Sequence, residues 1–282
     1  MEFFFITPDP EIARYAVECG VDRILVDLEK LGKSERQGHL DTVMSCHEVA
    51  DVAAVRKTVP AGTLMVRTNP LHAGSPAELD QVLAAGADIV MLPYFHRAAE
   101  AREFIELVAG RAAVVLLAET AGAMRELAAC AAIPGVQRIH IGLNDLSLEL
   151  GRRFMFELIA DGTVDGMARI LREAGMPFGI GGVARVGEGL LPAEAILTEH
   201  RRLGSDAAIL SRTFHRQIDS VARLRAEMDL RGEIEKLRLA FAATADLISG
   251  ELEETHRANA RAISAIVEGM SPRSQAAAPV PR

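Results

Sequence analysis

Eight short runs rich in Val, Ile, Leu and Phe, separated by longer segments of helical period, constrain the fold of this chain more than any other feature. They are FFFIT at 3–7, RILVDLE at 23–29, TLMVRTN at 63–69, IVMLPYF at 89–95, AVVLLAET at 113–120, RIHIGLND at 138–145, PFGIGGV at 177–183 and AAILSRTF at 207–214. Continuous apolar runs of this kind fit parallel strands buried on both faces. The helical segments between them carry end signals. Ser75-Pro76-Ala77-Glu78 reads as a capping box with Pro at the first helical position, opening a helix that closes at Gly86. A Gly-x-Asp phrase precedes three strands, at Gly20-Val21-Asp22, Gly86-Ala87-Asp88 and Gly204-Ser205-Asp206. It supplies a glycine C-cap, a short turn and the next strand. Eight such units in roughly 215 residues predict a TIM (β/α)8 barrel over residues 1–215, an α/β fold whose usual size is about 250 residues. A doubly wound open sheet is the alternative, which the strand count disfavours.

After Phe214 the strands stop, and residues 216–270 are helical in period and charge. The stripe Leu237, Phe241, Ala245 and Ile248 is one that a single helix cannot bury alone. It predicts two helices that extend the barrel and pack on a neighbouring subunit, giving a homodimer or higher homo-oligomer; folding back on their own barrel is the alternative. Residues 271–282, SPRSQAAAPVPR, have the composition of a disordered tail.

Composition narrows the function classes. A net charge of -8 argues against a nucleic-acid partner. No stretch approaches the roughly 18 consecutive apolar residues of a bilayer span, so no membrane partner is expected. The three cysteines, Cys19, Cys46 and Cys130, are unpaired in spacing, as expected for reduced thiols in a cytoplasmic protein.

Glu119 in VVLLAET and Asp145 in HIGLNDLS stand at the ends of apolar runs, and Arg67 closes LMVRTNP. Strand ends of a parallel barrel converge on one mouth, where the catalytic groups of this fold sit. Two adjacent carboxylates repel unless a cation or proton lies between them. With an arginine beside them they point to a Mg2+ or Mn2+ site for a small oxo acid; pairing of Arg67 with Glu119 is the purely structural alternative. Backbone N–H groups at Gly181-Gly182 are candidates for binding a substrate carboxylate, unless these glycines serve only close packing. His140, out of phase with Asp145, is expected to face the helix layer, and Arg212 reads as an interfacial residue.

VDLE (26–29), VRTNP (66–70), GADIVMLP (86–93), LLAET (116–120) and GLNDLS (142–147), in this order and each on its own strand, resemble the HpcH/HpaI aldolase/citrate lyase family. The resemblance covers the first ~215 residues. It implies a metal-dependent aldolase or C–C lyase acting on a 2-oxo acid and an aldehyde, or on an acyl thioester. It also implies Glu119 and Asp145 as metal ligands, and Arg67, with Asn69 beside it, as the residue holding a carboxylate or enolate oxygen. The chain departs from the pyruvate aldolases of that family after the acidic motif of the second strand, where Lys30 follows Glu29 in place of a histidine. Glu29 and Lys30 are therefore catalytic candidates, with a metal-bound hydroxide, His39 and His47 as other proton carriers. Lys33 and Arg36, comparable to basic residues of the citrate-lyase-like branch, are candidates for contacting a phosphate or second carboxylate. Two other functions stay open: a citrate-lyase-like acyl-CoA lyase or thioesterase, and a catalytically silent barrel whose helical tail is the working part.

Overall fold

The computed structural model describes residues 1–32, 47–214 and 218–270. Eight parallel strands close into a barrel in chain order. They are β1 (Glu2–Ile6), β2 (Arg23–Asp27), β3 (Leu64–Arg67), β4 (Ile89–Leu92), β5 (Ala113–Ala118), β6 (Val136–Ile141), β7 (Phe178–Val183) and β8 (Ala207–Leu210). The barrel and its helical layer are thus the predicted TIM-type architecture. Most ladders stop short of the apolar runs that announced them. Glu29, Asn69, Phe95, Thr120, Asp145 and Phe214 all lie beyond their strands, in the turns that build the mouth.

Side chains alternate along a strand, and β1 shows the result in three phenylalanines. Phe4 joins Leu25, Met65, Met91, Val115 and Leu117 inside the barrel. Phe3 and Phe5 join Ile24, Val26, Leu64 and Val66 between barrel and helices. All three rings are fully buried, which stabilises the fold by roughly 1.5–3 kcal/mol per side chain. The Gly-x-Asp phrase has a structural use at both ends. Gly20, Gly86 and Gly204 take the left-handed conformation with φ of +99°, +100° and +80°. Asp22 and Asp88 then accept the backbone N–H of Phe3 (2.7 Å) and Leu64 (2.9 Å), tying each new strand to the previous one.

Two local expectations are corrected. The helix Ser75–Ala84 is capped by Gly74 rather than Ser75. Glu78 does not close a capping box; it takes the backbone N–H of Asn69 at 2.9 Å, and its other oxygen meets His72 Nε2 at 2.9 Å. The Ser75 hydroxyl accepts from the His72 backbone instead. The loop leaving β3 thus competes successfully for the capping groups.

Where two helices were expected, the described residues of the tail form three, Val221–Glu227, Leu230–Ala242 and Ser249–Gly269. The last two pack against the barrel helix Ala193–Leu203 of the same chain, and the last also meets Glu157–Ala160. The buried face is Leu230, Ile234 and Leu237, because the helix ends at Ala242 before the expected stripe is complete. Phe241 is covered by the Arg201 guanidinium, 4.4 Å above its ring, while Ile248 remains exposed. A buried polar cluster fastens the long helix: Glu199 meets Arg202 at 2.8 Å and the Asn259 amide at 2.8 Å, with His256 at 3.1 Å. Residues 271–282, read from sequence as a disordered tail, lie outside the described residues. Among the described residues no helix is long and apolar enough to cross a membrane.

Candidate active site

At the C-terminal mouth of the barrel lies a cavity of about 570 Å³. Its walls include Asp27, Glu29, His47, Arg67, Glu119, His140, Asn144, Asp145, Gly181, Gly182 and Arg212. Parallel pairing sets Asp27 directly beside Arg67 in register, and the two side chains form a two-point clamp. Arg67 Nε donates to Asp27 Oδ1 at 2.8 Å and Nη2 to Oδ2 at 2.6 Å. Glu29 Oε2 stands 3.6 Å from the same Nε. Burial by itself would disfavour the guanidinium charge. The carboxylates of Asp27, then Glu29 and Glu119, outweigh it and hold the Arg67 pKa above its ordinary value. The arginine is a permanent buried cation.

Asp27 is the residue that sequence reasoning passed over. The signal was present in VDLE, one strand across from VRTNP, but only the register reveals which acid meets the arginine. The structural alternative of an Arg67–Glu119 ion pair is replaced by Arg67–Asp27.

Glu119 is 4% exposed, and its Oε1 accepts the backbone N–H of Tyr94 at 3.0 Å. That peptide is presented by a left-handed Tyr94, φ +47°, a conformation uncommon for a residue with a side chain. Strain retained at such a point fits a functional constraint on the loop after β4. Asp145 is not on a strand. β6 ends at Ile141, Gly142 caps the next helix, and Asp145 lies in the first turn of Leu143–Glu149. Counting strand phase through Gly142 therefore fails, and with it the expected outward aim of His140. The structure turns His140 into the barrel: it lines the cavity and is fully buried beside Phe4, 5.9 Å between ring centroids. Burial, reinforced by the charges of Arg138 and Arg67, pushes its pKa down to about 4. Arg212 begins a 3-10 turn after β8 and lines the cavity, a position the reading of it as interfacial did not include.

The remaining candidates separate by position. Glu29, Gly181 and Gly182 line the cavity. Lys30 is exposed and is not among the lining residues. Asn69 does not line it either. Its amide oxygen accepts from the backbones of Lys30 (2.8 Å) and Leu31 (3.0 Å), and its nitrogen donates to Glu78. His47 does line it, with Nδ1 accepting the Asp27 backbone N–H at 3.0 Å. Lys33, Arg36 and His39 lie outside the described residues, as does Cys46. Cys19 and Cys130 are buried; burial and then the nearby Glu126 push the Cys130 thiol up to about 11, the wrong direction for a nucleophile.

The donor set suits a divalent cation. Among the described residues four carboxylates face the cavity against two guanidinium groups, an excess of negative charge that a dication would balance. Among the described residues no group of three or more His, Cys, Asp or Glu side chains forms a ready protein cage. Two carboxylates with remaining positions left to water and substrate is the pattern typical of Mg2+. Gly142 keeps the approach to Glu119 clear: a Cβ there would lie 2.6 Å from Glu119 Cβ and 2.8 Å from Oε2. Gly142→Ala is accordingly expected to displace Glu119 and weaken Mn2+ binding at least tenfold, by analogy with losses from disturbed ligand support. Paramagnetic relaxation titration with Mn2+ checks this; unchanged affinity would show that Glu119 is not a ligand.

Known proteins share the sequence pattern and the fold. A sequence model of the HpcH/HpaI aldolase/citrate lyase family matches residues 1–154. No curated protein sequence matches the chain. Among solved structures, an HpcH/HpaI aldolase/citrate lyase family protein from Burkholderia cenocepacia J2315 superposes with a TM-score of 0.60 at 18% identity, covering 84% of this chain and 94% of that one. An HpcH/HpaI aldolase from Desulfitobacterium hafniense DCB-2 gives 0.58 at 16% identity, covering 84% and 92%. Protein CitE from Mycobacterium tuberculosis, in complex with magnesium and acetoacetate, gives 0.59 at 19% identity, covering 91% and 97%. At such identities the superpositions establish the barrel fold. The family match spans more than half of the chain, including β1 to β6 and all three polar residues first singled out at the strand ends, and the protein belongs to the HpcH/HpaI aldolase/citrate lyase family, a family of lyases.

Proposed function

We propose that the protein is a divalent-metal-dependent carbon–carbon lyase or aldolase that works through the enolate of a 2-oxo acid, with an aldehyde as second substrate. The observation that carries this reading is the Asp27–Arg67 clamp set in one cavity with Glu119 and Asp145. A Mg2+ or Mn2+ ion held by Glu119 and Asp145 would supply Lewis-acid stabilisation of negative charge developing on substrate oxygen. Magnesium in the CitE neighbour supports that choice of cation.

The chain's own residues divide the remaining work. Asp27 takes the Nε–H and one Nη2–H of Arg67, so the Nη1 hydrogens and the second Nη2–H are the donors left for a substrate carboxylate or enolate oxygen. Because Asp27 fixes the guanidinium plane beforehand, little reorganisation is needed when charge develops. A preorganised donor of this type is commonly worth about 3–4 kcal/mol in the transition state. His47 Nδ1 is engaged as an acceptor, so its proton sits on Nε2. It can therefore donate a hydrogen bond through Nε2–H, but while Nδ1 stays engaged it does not serve as the acid or base that transfers the proton. Lys30, exposed outside the cavity, is not favoured as the proton carrier. The apolar wall of Ile6, Ile12, Leu143, Met155 and Ile218 lowers the local polarity beside the charged groups, which strengthens charge interactions there.

The test is proton-to-deuterium exchange at the methyl group of pyruvate, followed by NMR with Mg2+ or Mn2+. The wild type should show metal-dependent exchange, and Asp145→Ala should slow it at least a hundredfold, about 2.7 kcal/mol. Absence of exchange with either metal would remove pyruvate as the nucleophile.

A further inference from the structure

We propose that His140 is a positioning residue of the cavity, its Nε2–H holding the Gly181 carbonyl and so setting the aim of the Gly181–Gly182 peptide toward the substrate. The inference rests on the reading of the site given above. Nε2 lies 3.0 Å from Gly181 O; a carbonyl only accepts, so this nitrogen carries the ring proton. The other nitrogen, Nδ1, is buried without a hydrogen-bond partner and packs over Gly179. A Cβ at Gly179 would stand 2.3 Å from Nδ1 and 2.8 Å from Ala207 O, so the glycine is what makes room for this ring.

A proton on Nδ1 would thus be buried with no acceptor, near the positive charges of Arg67 and Arg138. The ring is neutral, in one tautomer.

The held peptide sits at an irregularity of β7, where pairing with β8 is interrupted before it resumes at Gly182 and Ile209. β7 departs from regular pairing with β8 between Gly179 and Gly182, and Gly181 has no register partner on β6 either. Its φ of +42° is left-handed, and a Cβ there would meet Leu143 Cδ1 at 2.7 Å. In a trans peptide the carbonyl and the following N–H point in opposite directions. Pinning the Gly181 carbonyl to His140, inside the barrel, therefore turns the Gly182 N–H the other way. Both glycines line the cavity, and a fixed backbone N–H is a suitable partner for a substrate carboxylate. Neither the strand pattern nor the two acids requires a histidine at this place; the hydrogen bond gives it a use.

Nitrogen-15 NMR of histidine-labelled protein with Mg2+ present, between pH 5.5 and 8, tests the first half. An Nε2–H tautomer that does not titrate supports the assignment, and an Nδ1–H or doubly protonated ring overturns it. The second half is read from pyruvate methyl exchange in His140→Phe, which keeps the ring packing and removes the donor, and in His140→Gln, whose amide nitrogen falls near Nε2. The Phe variant should raise KM about tenfold with kcat changed less than threefold, as for loss of a ground-state contact; Gln should restore most of the difference. Equal KM in all three proteins, or a Gln variant no better than Phe, overturns the positioning role while leaving the metal-site reading intact. Wild-type protein that neither binds nor exchanges pyruvate overturns that reading itself, and the substrate half of this inference with it.

Discussion

Arg67→Met is expected to destabilise the barrel by roughly 3–5 kcal/mol at neutral pH, the cost of breaking a buried ion pair by removing one partner. It should also lower kcat/KM for the exchange reaction by at least two orders of magnitude. The substitution keeps the volume of the side chain but leaves Asp27, Glu29 and Glu119, each no more than 4% exposed, facing one mouth without their cation. Carboxylates forced together in this way relieve repulsion by taking up a proton. The stability gap between variant and wild type should therefore narrow as pH falls from 8 to 5.5. Urea denaturation at the two pH values measures it. A gap that stays constant would mean that the three acids are not electrostatically coupled through Arg67. Metal should restore part of the lost stability if Glu119 and Asp145 bind it, because a ligand taken up only by the native state stabilises that state.

The second large effect is a loss of stability in mild acid caused by two histidines. His140 and His200 are both fully buried. Burial depresses His140 to about 4, and burial, then the neighbouring His140, depresses His200 to about 3. In the unfolded chain both titrate near the ordinary value of about 6.5. Between these limits the unfolded state binds more protons, so stability must rise with pH there. The contribution is complete above about pH 6.5 and drains away as pH falls toward the folded values. At pH 5 each histidine costs about 2 kcal/mol, at about 1.36 kcal/mol per unit. Together that is a substantial part of the 5–15 kcal/mol typical of a domain. His200 Nδ1 is bonded to the Ser205 hydroxyl at 2.8 Å while Nε2 has no partner, so the ring has nowhere favourable to place a second proton. The pair His200→Gln and wild type, unfolded in urea from pH 7.5 to 4.5, should differ in slope by close to one proton near pH 5. Parallel curves would sink the explanation.

The barrel could be read from the chain because it rests on local rules. Alternation along β1 separates Phe4 from Phe3 and Phe5, glycines at 20, 86 and 204 stop helices in the left-handed conformation, and the spacing of strand and helix repeats to closure. Glu119, Arg67 and Asp145 were visible for a related reason: charged residues at the ends of apolar runs must converge if the runs are parallel strands. The presence of these groups is therefore a property of sequence order.

Their partners are a property of the folded chain. The register of β2 on β3, not the spacing along either, sets Asp27 against Arg67. A single glycine, Gly142, ends β6 and starts a helix, which moves Asp145 off the strand and reverses the inferred aim of His140. Glu78, written as a helix cap, is captured by Asn69 and His72 because they are closer once the loop after β3 has folded. The tail's apolar face meets the chain's own helix Ala193–Leu203, a choice between two surfaces that periodicity cannot distinguish. Period and punctuation act over a few residues and so are written in the sequence; register, helix starts and competing hydrogen bonds depend on groups brought together from distant parts of the chain, and only the tertiary structure decides them.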